Sequence, residues 1–169
     1  MSRTLAIAAL AAAAACAVAV PGAGAVTGLS NSYAVAGIET SIPTNNTSTF
    51  AGGAVGSSGD AAQWSASVVH QALSNCPFGS GKSCLITGGT FSLSSFAGGQ
   101  LAGSFLSGGS VTPIAQQAGC GKQVFGVAGA LATNHGPASF TATLTHYRTL
   151  FFGTCIPFFA TITGSVKLT

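Results

Sequence analysis

The stretch that decides the fold is residues 139–169, SFTATLTHYRTLFFGTCIPFFATITGSVKLT. Successive residues of a strand point to opposite faces, so alternate positions identify what each face carries. One face is mostly apolar and consists of Phe140, Ala142, Leu144, His146, Arg148, Leu150 and Phe152. The other face is rich in threonine, and the alternation resumes over residues 156–168. This pattern predicts a long β-hairpin with one apolar side.

The register of this hairpin follows from parity. Directly paired residues of antiparallel strands share a face, so two even-numbered apolar faces meet only across a loop with an odd number of residues. A three-residue loop at 153–155 satisfies this condition and pairs His146 with Ile162 and Arg148 with Ala160. His146 and Arg148 then lie on the apolar face, where burial without a partner is costly.

The rest of the chain reads as short strands between glycine and proline turns. The predicted strands cover residues 28–42, 47–55, 61–73, 84–93, 100–111 and 122–133. The segment 61–73 also fits a helix by its spacing, but its serines and the Val68-Val69 pair favour a strand. With the hairpin, the sequence predicts an all-β antiparallel meander of about eight strands. A small closed β-barrel is favoured because few charges are present to protect an open edge, and a two-sheet β-sandwich is the alternative.

The first 25 residues have the pattern of an export signal peptide. Arg3 supplies the basic start, residues 5–20 are apolar, and Ala23-Gly24-Ala25 forms a small-residue cleavage site. The apolar run is too short for a transmembrane anchor. We therefore expect a secreted protein with one β domain at 26–169. Lipoprotein attachment at Cys16 is a minor alternative.

Four cysteines remain in the predicted domain, and an even number in an exported chain indicates two disulfides. Of three possible connectivities, we favour Cys76 with Cys84 and Cys120 with Cys155. No spacing typical of a zinc site is present, and the sequence predicts neither a metal nor a cofactor. Asn45 and Asn46 both begin glycosylation sequons, whose plain interpretation is a surface turn.

Charge is scarce in this domain. The cations are Lys82, Lys122, Arg148 and Lys167, and the carboxylates are Glu39 and Asp60. Such thin charge argues against nucleic acid and offers little to an anionic membrane surface. A glycosidase needs two carboxylates around a sugar bond, and Asp60 lies in a Gly/Ser turn poorly suited to that role.

The candidate chemistry rests on His146 and Arg148, with Glu39 and His70 as further candidates. A histidine titrates near neutral pH, so these residues in a barrel mouth would suit a cofactor-free isomerase or cyclase. In a ligand site, His146, Arg148 and Trp64 would be the contacts. The simpler interpretation is that both polar residues reach solvent at the rim, or that a bulge near Tyr147 turns them outward.

Three functions follow as hypotheses. The leading one is a non-enzymatic exported barrel that binds a small apolar ligand or acts at the cell surface. The second is the His146/Arg148 isomerase or cyclase, and the third is a carbohydrate- or wall-binding module that displays Trp64 or other aromatic residues. A membrane-spanning outer-membrane barrel is a minor option. The architecture resembles small up-and-down barrels such as the lipocalin-like ones, but no motif carries the resemblance and it implies no function.

Overall fold

The computed structural model describes residues 28–41 and 46–169. The predicted signal peptide, Cys16 and Asn45 lie outside these residues. Nine strands are formed: β1 (Ser32–Glu39), β2 (Thr47–Gly56), β3 (Ala61–His70), β4 (Cys84–Ser95), β5 (Gln100–Phe105), β6 (Ser110–Gln116), β7 (Gln123–Thr133), β8 (Gly136–Phe151) and β9 (Thr154–Leu168). One short 3-10 turn, Leu73–Asn75, follows β3. The ambiguous segment is therefore a strand, as its composition favoured.

The strands close into an antiparallel eight-stranded barrel with one extra strand. Neighbours follow the chain from β1 to β4 and from β7 to β9, and β9 pairs with β1 to close the wall. Strands β5 and β6 share one place between β4 and β7: β5 pairs with the later part of β4, and β6 with Cys84 and Leu85. The predicted barrel is confirmed, and its closure leaves no sheet edge along the wall.

The barrel interior is a continuous apolar core. Trp64 lies near its centre, with ring centroids 6.2 Å from Phe91 and 6.3 Å from Phe140. The Trp64 indole N–H donates to the Ala36 carbonyl at 3.1 Å, so its one polar group is satisfied. Thr141 and Thr143 on the other face of β8 are exposed. An apolar interior with a hydroxyl-rich exterior is the reverse of what a membrane-spanning barrel requires.

The hairpin of β8 and β9 forms, but its predicted register is wrong by two residues. His146 pairs with Ala160 rather than Ile162, and the turn consists of Phe152 and Gly153 alone. Both turn residues have positive φ, 45° and 78°, which suits a tight two-residue hairpin turn. A bulge at Tyr147/Arg148 supplies the odd residue: Tyr147 faces Phe159 while Arg148 faces Pro157, which leaves Phe158 unpaired.

Both favoured cysteine pairs lie at disulfide distance. The Cα atoms are 5.3 Å apart in Cys76–Cys84 and 5.2 Å apart in Cys120–Cys155. The first pair closes the loop between β3 and β4, and the second ties the loop between β6 and β7 to the start of β9. These two loops lie at the end of the barrel where β8 leaves the wall, which we call the hairpin end.

A buried polar cluster closes the opposite end. Asp60 accepts hydrogen bonds from the hydroxyls of Ser30, Tyr33 (2.7 Å) and Ser95 (3.2 Å). Burial opposes the charge of Asp60, but these hydrogen bonds outweigh it and lower the pKa of its carboxyl. Burial, together with the neighbouring Asp60, raises the pKa of Tyr33. The Gly/Ser turn that contains Asp60 is thus anchored by the Asp60 carboxylate itself.

Candidate functional site

A buried histidine–carboxylate pair lies inside the hairpin end. His146 Nε2 is 3.0 Å from Glu39 Oε2, and each side chain is only 5% exposed. The angles at this contact do not meet those of a good hydrogen bond, and Glu39 Oε1 has no partner. The Phe125 ring packs edge-on against His146 with the centroids 5.2 Å apart. Among residues 28–41 and 46–169 this is the one close contact between a basic nitrogen and a carboxylate.

Sheet order explains why these two residues meet. Glu39 is the last residue of β1, one position beyond the pair of Ile38 with Thr161. His146 on β8 pairs with Ala160 of β9, so β9 runs between β1 and β8. The small side chain of Ala160 leaves room for Glu39 and His146 to meet across it. Within the described residues Glu39 makes no ion pair with Arg148.

A small cavity lies next to the pair. Its volume is about 20 Å³, which is room for a water molecule and little more. His70, His146 and Ser48 are its polar lining residues, and the rest of the wall is apolar. His70 Nδ1 is 2.7 Å from the Gln71 carbonyl, which fixes the orientation of that ring. The structure thus brings His70, His146 and Glu39 to one end of the interior.

Arg148 is separated from this group by the bulge. Its Nε donates to the Gly121 carbonyl at 2.8 Å, and one terminal nitrogen donates to the carbonyls of Gly119 (3.1 Å) and Gln117 (3.5 Å). The guanidinium therefore holds the loop between β6 and β7, in agreement with the bulge alternative for this residue. The other proposed contact, Trp64, is a core residue at 3% exposure and displays no ring to solvent.

The hairpin also forms a projection that the sequence reasoning missed. β7 first pairs at Gln123 with His146, and β1 last pairs at Ile38 with Thr161. Beyond these positions residues 147–159 form a two-stranded ribbon that no other strand of the described residues flanks, which we call the hairpin arm. Its exposed large apolar residues are Leu150, Phe151, Phe152, Ile156, Phe158 and Phe159. Phe152 at the tip is 92% exposed and Phe158 at the bulge 66%.

A signal for the arm was present in the sequence. Within the barrel wall the large apolar residues of β8 and β9 keep to one parity, but Phe151-Phe152 and Phe158-Phe159 are apolar on both. A ribbon cannot bury both faces against a single core. These doubled aromatics therefore mark the point where the hairpin leaves the barrel.

The arm is braced by the loop between β6 and β7, from its base at Tyr147 and Arg148 to Cys155 near its tip. Cys120 is paired with Cys155 of the arm, and Arg148 binds three carbonyls of the same loop. The Lys122 ammonium lies 5.0 Å from the centre of the Tyr147 ring, a cation–π contact. A two-stranded ribbon alone is marginally stable in water, so these contacts hold the apolar tip in place.

Comparisons with protein-family models, with curated proteins and with solved structures gave no match to the chain. Within the described residues no helix is long and apolar enough to cross a membrane. Those residues also bring together no group of three side chains suited to hold a metal ion. Fold and site therefore define the class of the protein by architecture: a small closed antiparallel barrel with a filled interior, two cysteine pairs and one apolar arm.

Proposed function

We propose that the protein is an exported, non-enzymatic β-barrel that acts at the cell surface through its hairpin arm. The observation that carries the proposal is the arm itself, a braced ribbon of 13 residues that holds six of the twelve exposed large apolar residues of the described chain. Contiguous exposed apolar surface on a small protein is characteristic of an interaction site. The two cysteine pairs fit an oxidising, extracellular environment.

The interior favours this site over a ligand inside the barrel. Sites for small molecules usually have volumes of several hundred Å³, whereas the cavity beside His146 has about 20 Å³. Trp64, Phe91, Phe105 and Phe140 fill the space where a lipocalin-like ligand would sit. The proposal therefore moves the binding surface from the barrel mouth to the arm.

The test is retention of the protein on the envelope of its source cells. The double variant Phe152→Ser/Phe158→Ser removes the two most exposed arm side chains and leaves the core intact. We expect it to shift from the envelope fraction to the medium. Phe96→Ser is the matched control, because Phe96 is 69% exposed in the β4–β5 turn at the opposite end. Equal retention of the wild type and the double variant would refute a surface role for the arm.

Glu39 and His146 support a second candidate function, cofactor-free acid–base catalysis. A carboxylate beside a histidine is a common arrangement around a general base, and His70 and His146 line the same cavity. A substrate larger than water could enter only if the mouth opens. Titration of small carbonyl compounds against the histidine side-chain resonances tests this candidate. Shifts at His146 that disappear in Glu39→Gln would support it, and silence across the series would argue against it.

A further inference from the structure

We propose that the hairpin end docks on the surface of an anionic lipid bilayer, with the arm inserted among the headgroups. This inference rests on the proposed function and names the partner of the arm. Three features of the hairpin end support a bilayer: the sign of its charge, the shape of the arm and the kind of residue at its tip.

The charge of the hairpin end is positive. Lys82 lies in the loop between β3 and β4, Lys122 in the loop between β6 and β7, and Arg148 at the base of the arm. None of the three makes an ion pair within the described residues. The carboxylate at this end, Glu39, is buried and engaged with His146, whereas Asp60 and Lys167 lie at the opposite end. The fold therefore gathers cations that look scattered in the sequence, and these are complementary to anionic headgroups.

The shape of the arm is convex. The ribbon extends about five residues beyond the wall on the β8 side, which at a strand's rise is about 16 Å. Aromatic and aliphatic side chains that insert at a membrane interface reach about 5–10 Å below the headgroups, so this length is sufficient. A fluid bilayer can take up a projecting arm without a preformed groove, which a protein partner would need. Phenylalanines beside lysine and arginine are typical of such interfacial segments.

A second copy of the chain fits the hairpin end less well. Joining two arms would bring two sets of the same three cations together, with no exposed carboxylate on either hairpin end to compensate them. Like charges face each other in that arrangement and oppose association. An anionic bilayer can accommodate the apolar tip of the arm and also attract Lys82, Lys122 and Arg148 around its base.

Sedimentation with vesicles tests the proposal on the secreted, disulfide-intact protein. The probes are sucrose-loaded vesicles of phosphatidylcholine with about one third phosphatidylserine, and vesicles of phosphatidylcholine alone. We expect binding to the anionic vesicles that weakens in high salt. Phe152→Ser/Phe158→Ser should reduce the partition coefficient at least tenfold, and Phe96→Ser should leave it unchanged. Lys122→Gln should reduce it about fivefold, and Lys167→Gln should not.

The outcomes separate this inference from the proposed function. No binding to the anionic vesicles, or equal losses in the arm variant and Phe96→Ser, overturns the lipid partner. If the arm variant still loses retention on the cell envelope, the proposed function stands with another partner. Sedimentation velocity without lipid distinguishes the remaining case: a dimer that Phe152→Ser/Phe158→Ser dissolves would make the arm a self-association surface and would also overturn the lipid proposal.

Discussion

Asp60 is the residue on which the end opposite the arm depends. Its carboxylate receives the hydroxyls of Ser30, Tyr33 and Ser95, which come from the segment before β1, from β1 itself and from β4. Asp60→Ala should leave buried hydroxyls without their acceptor and lower the free energy of unfolding by about 3 kcal/mol. Urea unfolding measures this loss. Ser94→Ala, an exposed neighbour of Ser95, is the control and should change the midpoint little.

The Asp60 carboxylate also makes the free energy of unfolding depend on pH in the acid range. Because its folded pKa lies below the usual 3.8, the unfolded chain takes up the proton first as the pH falls. The stabilisation from Asp60 is therefore complete above the unfolded pKa and disappears as the pH drops through the folded pKa. A plot of unfolding free energy against pH should be flatter below about pH 4 for Asp60→Asn than for the wild type. An unchanged acid limb would contradict the assigned role.

Glu39 and His146 allow a test by double substitution. Breaking a buried pair leaves one polar partner stranded, whereas replacing both partners with apolar residues leaves none. We expect Glu39→Leu and His146→Leu each to cost about 3 kcal/mol, and the double variant to cost less than either. Unfolding midpoints in urea decide the matter. If the two losses simply add, the residues do not interact.

At the scale of elements, the two disulfides should differ in their contribution to stability. Cys120 and Cys155 are 35 residues apart, Cys76 and Cys84 only eight. Because a longer closed loop restricts the unfolded chain more, removal of the first pair should cost about 4 kcal/mol and removal of the second about 2.5 kcal/mol. Double Cys→Ser variants compared by urea unfolding provide the measurement. The reverse order would show that native contacts of the short loop, rather than chain entropy, dominate.

The β8–β9 hairpin shows how far sequence pattern reaches. Alternation over residues 139–169 correctly predicted two strands and the face they bury within the wall, because parity is a local property of an extended chain. It did not predict that Leu150, Phe152 and Phe158, on the same face, are exposed in the arm. The parity argument also required an odd number of unpaired residues between the two strands, and it assigned all of them to the turn. In the structure the turn has two residues, and the third unpaired residue is Phe158 in the bulge. Parity fixes whether the number of unpaired residues is odd or even but not where they lie along the hairpin, so the predicted register was wrong by two residues.

At the scale of the whole molecule, pairing of the first and last strands makes the barrel one cooperative unit. Trp64 on β3 contacts Phe91 on β4 and Phe140 on β8 across the interior, so opening the wall anywhere exposes it. Because the chain has a single tryptophan, its fluorescence reports the core alone. Urea transitions followed by this fluorescence and by far-ultraviolet circular dichroism should coincide. Sheet signal that persists after the tryptophan becomes exposed would reveal a separable subdomain.

The candidate site was harder to predict from the sequence than the fold, because it depends on the order of strands that are far apart in the chain. His146 was recognisable as a polar residue on an apolar face, and Glu39 as a further candidate for the same site. Which partner Glu39 meets is decided by the order β1–β9–β8 and by the bulge that removes Arg148. The positive charge of the hairpin end likewise arises because the fold brings Lys82, Lys122 and Arg148, which are far apart in sequence, to the same end of the barrel. Such relations are set by closure of the barrel and have no local signature.

Barrel closure also brings the first and last strands of the wall together at one end of the domain. The Leu168 amide donates to the Asn31 carbonyl at 2.9 Å, so the two ends of the wall emerge side by side at the pole farthest from the arm. A reporter joined there would point into the medium while the phenylalanine tip is engaged. If the arm binds a bilayer as proposed, Asn31 and Leu168 lie at the end of the domain that faces away from the lipid.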